Sequence, residues 1–193
     1  MSGTAPLTVE QWREFLGEYS RQLLASPNQQ LERFTPDGII TVPRFAPEVQ
    51  AGGWLGSEPC READLEAAEG RLGRSLPPSF RNFYLVTNGW TDAGQFGEDV
   101  WPLQRVDWLR DTEFGDLIGA WSDVLDPDQL AVLESSLIIA YADGGAGDYW
   151  LLAPPSAVDQ PEWTAYRWAA GAGEDPEPFE SFGALMQEAR EGA

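Results

Sequence analysis

Stretches of helical and of strand-like apolar spacing follow one another along the chain, and their order sets the expectation for the fold. In residues 7–25, "LTVEQWREFLGEYSRQLLA", Trp12, Phe15, Leu16, Tyr19 and Leu23 recur at helical intervals, with Thr8 where an N-cap belongs. Glu10, Glu14 and Glu18 dominate the opposite face, so this helix is expected to pack on protein. A membrane-surface helix carries Lys and Arg there instead. Residues 26–59 are rich in Pro and Gly and predict an irregular connection leading to Trp54. A second helix is predicted from Glu62 to Leu72, with Leu65, Ala68 and Leu72 on one face and Gly73 just past its end. "LPPS" resets the chain, and Pro77 and Pro78 pre-set the backbone for a third helix. Phe80, Phe83, Tyr84 and Thr87 continue at helical spacing, and Asn88-Gly89 is expected to stop that helix before a reversal at Trp90.

Beyond Trp90 the period changes. "DVWPLQRVDWL" (99–109) starts strand-like and is expected to pass into a helical segment through Trp121, weakened by Gly115 and Gly119. Two apolar runs, Leu137–Ala142 and Tyr149–Leu152, flank "DGGAGD" (143–148) and predict a hairpin of buried strands. "EWTAYRW" (162–168) alternates like another strand. Phe179, Phe182, Leu185, Met186 and Ala189 share one face of a closing helix. Helices first, then strands, then a terminal helix predict an α+β domain with a mostly antiparallel sheet flanked by helices.

Composition narrows the function. The 193 residues include nine Trp, no His and no Lys; all twelve positive charges are Arg. Lacking His excludes Ser-His and Cys-His nucleophile pairs and the common zinc sites, and lacking Lys excludes Schiff-base chemistry and a P-loop lysine. The single Cys60 excludes an intramolecular disulfide. With no apolar run near the roughly 20 residues of a membrane span and no signal-peptide pattern at the N-terminus, a cytoplasmic location is expected.

The net charge of −20 is unevenly placed: residues 1–90 hold 11 acids and 8 Arg, residues 91–193 hold 21 acids and 4 Arg. Such a field repels nucleic acid and steers a basic partner toward the chain, although it also serves simple solubility.

The candidate chemical groups each have a plainer reading. "DGGAGD" precedes a strand rather than a helix and carries two Asp, which argues against a phosphate loop. Asp143 and Asp148 lack the ligand spacing of an EF-hand, so no metal site is expected and a turn is the simpler reading. Asp126-Pro-Asp128 reads as a capped helix start. Paired carboxylates can run glycoside hydrolysis, yet nothing among 32 acids singles out a pair. Cys60 has no base partner and reads as a small, partly buried residue. Trp12, Trp150, Trp163 and Trp168 read as core. Trp90, Trp101 and Trp108 lie among acids, a composition shared by interfaces, although core packing also suits each.

The run Glu69-x-x-Leu72-Gly73-x-x-Leu76-Pro77-x-x-Phe80-Arg81-x-Phe83, followed by Asn88-Gly89-Trp90, resembles the signature of the SUKH superfamily. That group includes Smi/Knr-type cell-wall-assembly regulators and bacterial immunity proteins. Trp54 with Gly56, "VWPLQRVDWLRD", "LIIAYADGGAGDYWLL" and "SFGALM" continue the resemblance in order. It covers about residues 54–190, which suggests a SUKH-like domain over 54–193 and an N-terminal helix and irregular extension over 1–53 packed on it. The resemblance implies a SUKH-like α+β fold, no enzyme activity, no cofactor, and binding to a protein partner. For bacterial members that partner is a toxin, often a nuclease or deaminase domain.

The leading expectation is therefore an immunity-type protein that neutralises a basic toxin domain through an acidic surface. Asp92, Glu98, Asp99, Asp107, Asp111, Glu113 and Asp116 are the candidate contacts, with Trp101 or Trp108 as anchors. A housekeeping scaffold of the Smi/Knr type and a carboxylate enzyme stand as alternatives. The partner's identity and the oligomeric state are left open.

Overall fold

The computed structural model describes residues 5–35, 38–94, 97–142, 147–155 and 161–192. Helix α1 (Val9–Ala25) starts where the pattern places it. The Gln11 backbone N–H donates to Thr8 Oγ1 at 3.2 Å, and the Thr8 N–H donates back to Gln11 Oε1 at 2.9 Å. That reciprocal box satisfies two N–H groups left orphaned at a helix start.

Residues 26–59 are more regular than their composition implies. They form a hairpin of β1 (Gln30–Thr35) and β2 (Gly38–Pro43), then the short helix α2 (Pro47–Gly52). Ile39, Ile40, Thr41 and Val42 make a run with high strand propensity, and the Pro and Gly around it mask that run from composition.

Helix α3 (Glu62–Leu72) ends on Gly73 in the left-handed region, φ 69°. Helix α4 (Pro78–Tyr84) begins at the Pro pair but closes earlier than the spacing suggests. Asn88-Gly89 is not its cap: Leu85 holds that place in an ordinary right-handed conformation. Gly89, at φ 103°, instead turns the chain so that Trp90 pairs with Val100, by backbone hydrogen bonds of 3.0 and 2.8 Å. A Cβ at Gly89 would sit 2.9 Å from the Val100 carbonyl oxygen, so only glycine fits. Thr87 lies beyond the helix. Its hydroxyl donates to Gly89 O at 2.7 Å and accepts from the Ser57 N–H at 2.8 Å.

The main sheet runs β3 (Asp99–Val100), β5 (Leu137–Ala142), β6 (Asp148–Ala153), β7 (Thr164–Ala169), β8 (Glu177–Phe179), and β4 (Asp107–Trp108) also pairs β5. Every pairing is antiparallel. The predicted pairing of the two apolar runs is present as β5 against β6; residues 143–146 of its turn lie outside the described residues. All six residues of β6 are buried. Successive side chains of a strand point to opposite faces, so both faces of the sheet are covered at its centre.

Helices α5 (Asp116–Trp121) and α6 (Pro127–Ser135) precede β5, and α7 (Phe182–Glu191) closes the chain. Phe179 belongs to β8 rather than to the last helix, whose N-cap is Ser181. Helix α1 is part of the same core. Trp12 is fully buried, its indole N–H donates to Ser79 O at 2.8 Å, and its ring meets Phe83 and Phe182 at 5.4 and 5.5 Å.

Candidate functional site

An aromatic row built by strand register positions the acidic segment. Tyr141 on β5 is opposite Tyr149 on β6, and Tyr149 is opposite Trp168 on β7, so the three side chains share one face. Their rings follow one another at 5.1 and 5.5 Å. Phe114 sits over this row, 4.9 Å from Tyr141 and 5.4 Å from Tyr149, and Trp121 meets Trp168 edge-on at 5.5 Å. These contacts pin residues 109–121 against the sheet. Asp126 starts α6 by accepting the Asp128 and Gln129 N–H groups, both at 2.9 Å.

The result is an acidic ridge. Residues 107–134 hold eight acids, Asp107, Asp111, Glu113, Asp116, Asp123, Asp126, Asp128 and Glu134, against Arg110 alone. All but the half-buried Asp107 are exposed. Asp107 pairs with Arg71 at 2.8 Å, Glu113 with Arg105 at 3.4 Å and Asp111 with Arg110 at 3.6 Å. Asp116, Asp123, Asp128 and Glu134 have no ion pair among the described residues. Val124, 67% exposed, stands between Asp123 and Asp126 as an apolar point in this field.

Of the residues the sequence singles out, Asp107, Asp111, Glu113 and Asp116 lie on the ridge. Asp99 is exposed on β3, opposite Tyr141, whereas Asp92, Glu98 and Trp101 are buried and do not join the ridge. Glu98 is fully buried and accepts the Trp150 indole N–H at 3.2 Å. The Asp92 carboxylate is enclosed with the Arg44 guanidinium. Asp99 accepts the Asp92 N–H at 2.8 Å. Although Asp99 is exposed, partial desolvation of its carboxyl raises it above its usual range against that hydrogen bond, and the charge of Asp92 adds to the rise.

Trp101 is buried beneath Phe114, and Arg105 lies 3.7 Å over its ring. Trp108 is half-buried, donates its indole N–H to Leu72 O at 3.2 Å and stacks on Trp163. In this conformation Asp92, Glu98 and Trp101 act inside the fold, because apolar burial and enclosed partners hold them there. Alternation of acids with aromatics marked them, and it does not distinguish a surface from the inner side of a loop. Asp123, Val124, Asp128 and Glu134 were missed. The signal for the first three is the density of acids in "SDVLDPD" (122–128), which reads first as a helix start; Glu134 lies beyond that stretch.

Among the remaining candidates, Asp148 is buried on β6, and Asp143 lies outside the described residues. Burial first, then Glu174, raises the Asp148 carboxyl above its ordinary value. Cys60 is buried, and burial together with Asp64 pushes its thiol from 9.0 up to about 11. A thiolate is the reactive form, and the greater nucleophilicity of a higher-pKa thiolate offsets only part of its scarcity, so native Cys60 is expected to react with a disulfide reagent at neutral pH at least about 10-fold more slowly than the unfolded chain. Equal rates in buffer and in denaturant would contradict this.

The fold and ridge define a class: an antiparallel α+β domain whose sheet carries a dense acidic surface segment through an aromatic row. The chain belongs to the SMI1 / KNR4 family (SUKH-1), whose family model matches residues 59–188. No curated protein matches the chain. Helix α1 and the β1–β2 hairpin lie outside the matched range.

Proposed function

We propose that this protein is a non-enzymatic binding protein of the immunity type, and that it neutralises a basic, nuclease-type toxin domain by covering its phosphate-binding surface. The observation that carries the reading is the ridge: of the eight acids in residues 107–134, Asp107, Asp111 and Glu113 are ion-paired with Arg, the other five have no ion pair among the described residues, and Val124 is exposed among them. A domain that holds phosphates presents Arg and Lys, and a complementary acidic face speeds encounter and fixes orientation. Phe114 and Trp121 hold the first part of the ridge on the aromatic row of the sheet, so those charges are presented without ordering a loop on binding. Membership of the SMI1 / KNR4 family supports a protein partner. Among the described residues no helix is long and apolar enough to cross a membrane.

The test is kinetic. Asp116, Asp123 and Asp128 are exposed, and none is an N-cap, so reversing all three to Arg leaves the helix caps in place. Association with a basic toxin domain, sought in the neighbouring reading frame, is expected to slow by roughly 10- to 100-fold at low salt. Its dependence on ionic strength should flatten, with dissociation changing less. Unchanged association rates and an unchanged salt slope would overturn the acidic-face reading.

A further inference from the structure

The β1–β2 hairpin forms a two-stranded sheet of its own, and among the described residues no third strand pairs with it. Its base is fastened to the domain. The Arg44 N–H donates to Gln29 O at 2.8 Å, and the Arg44 side chain pairs with Asp92. Strand β2 is open along its length: Ile39 is 58% and Ile40 47% exposed, and adjacent residues of a strand point to opposite faces. Two-stranded sheets are marginal alone in water, and an open apolar edge is a template for pairing.

We propose that two copies of this chain pair through β2 across a two-fold axis, joining two hairpins into one four-stranded antiparallel sheet. The register of the hairpin decides which groups are available. Residues 29 and 44 are bonded through the Arg44 N–H, and bonded pairs alternate along an antiparallel ladder. Leu31–Val42 and Arg33–Ile40 are then the bonded pairs, so the backbone N–H and C=O of Ile39 and Thr41 point outward. Setting Ile40 on the two-fold axis places Ile39 against Thr41 of the second copy and Thr41 against its Ile39. The N–H and C=O of Ile39 and Thr41 on each strand all find partners, giving four hydrogen bonds. Ile40 then meets its counterpart as a non-bonded pair, the closer of the two kinds of approach. Strand β2 is thus complementary to itself.

Charge favours the second copy over a basic partner at this site. Residues 26–46 hold Glu32 and Asp37 against Arg33 and Arg44, a net of zero in a chain of −20. The hairpin gives a basic partner no local attraction. Most of the acids follow Trp90 in the sequence, so two copies meeting at the hairpin repel less than two copies meeting through the ridge, and salt screens what remains. The proposal is independent of the acidic ridge.

The experiment is sedimentation of the full chain over the micromolar range, with amide exchange read at the same concentrations. A monomer–dimer equilibrium is expected, with exchange at Ile39 and Thr41 slowing as the dimer forms. Thr41→Pro removes an outward N–H without touching the β1 ladder, and Ile40→Glu opposes two like charges on the axis. Both variants should stay monomeric where the parent chain dimerises, with unchanged far-ultraviolet dichroism. The triple reversal of Asp116, Asp123 and Asp128 should dimerise like the parent, which separates this surface from the ridge. A parent chain monomeric throughout the range, a dimer that persists in both variants, or protection of Ile39 and Thr41 that appears only with a basic partner would each overturn it.

Discussion

Trp12→Ala is expected to destabilise the protein by about 3–5 kcal/mol, the range for removing a large aromatic from a core. Trp12 is fully buried, donates an indole hydrogen bond to Ser79 O, and lies between Phe15, Phe83 and Phe182. Removing it leaves a cavity among rings and deprives the Ser79 carbonyl of its indole donor. For a chain of this size each kcal/mol shifts the melting midpoint by roughly 2–4 °C, so a fall of at least about 6 °C should follow in a thermal scan. The substitution lies outside the range matched by the family model, which gives the result a wider meaning. A loss below about 1 kcal/mol would mean that α1 is a detachable appendage rather than part of the core.

Asp92→Ala should cost about 2–3 kcal/mol, somewhat less than breaking a fully buried ion pair. Its carboxylate and the Arg44 guanidinium are 11% and 13% exposed, so removing one leaves the other nearly enclosed without its counter-charge. Asp92 is also the one non-glycine with positive φ among the described residues, at 60°. Asn tolerates that conformation better than Ala, so Asp92→Asn should retain roughly 1 kcal/mol that Asp92→Ala loses. The double variant Arg44→Met with Asp92→Asn should recover part of the loss in urea denaturation, because no charge is then left unpaired. Strictly additive losses would show that the two side chains do not act as a pair.

Much of the fold was legible because local signals agreed with the tertiary outcome. The box at Thr8 and Gln11, the Pro77-Pro78 start, Gly73 beyond α3, and the paired apolar runs of β5 and β6 each work through neighbours in sequence or through one ladder. The hairpin at 30–43 was missed because Pro and Gly density describes its borders and not its β-branched interior. Asn88-Gly89 was assigned to the wrong task. Only the approach of Val100, eleven residues after Gly89, shows why glycine is needed there.

The candidate site divides the same way. The order of residues already carries the absence of His and Lys, the concentration of acid after Trp90, and the family block between Glu69 and Trp90. Those are statements about which groups exist and in what order. Which acids face outward depends on how distant segments pack. Glu98 and Trp101 are drawn inward by the sheet and by Phe114, while Asp116, Asp123 and Asp128 remain on the ridge. The physical reason is that burial depends on contacts between distant segments: Trp150 reaches Glu98 across 52 positions, and Arg44 reaches Asp92 across 48. No local period encodes such encounters.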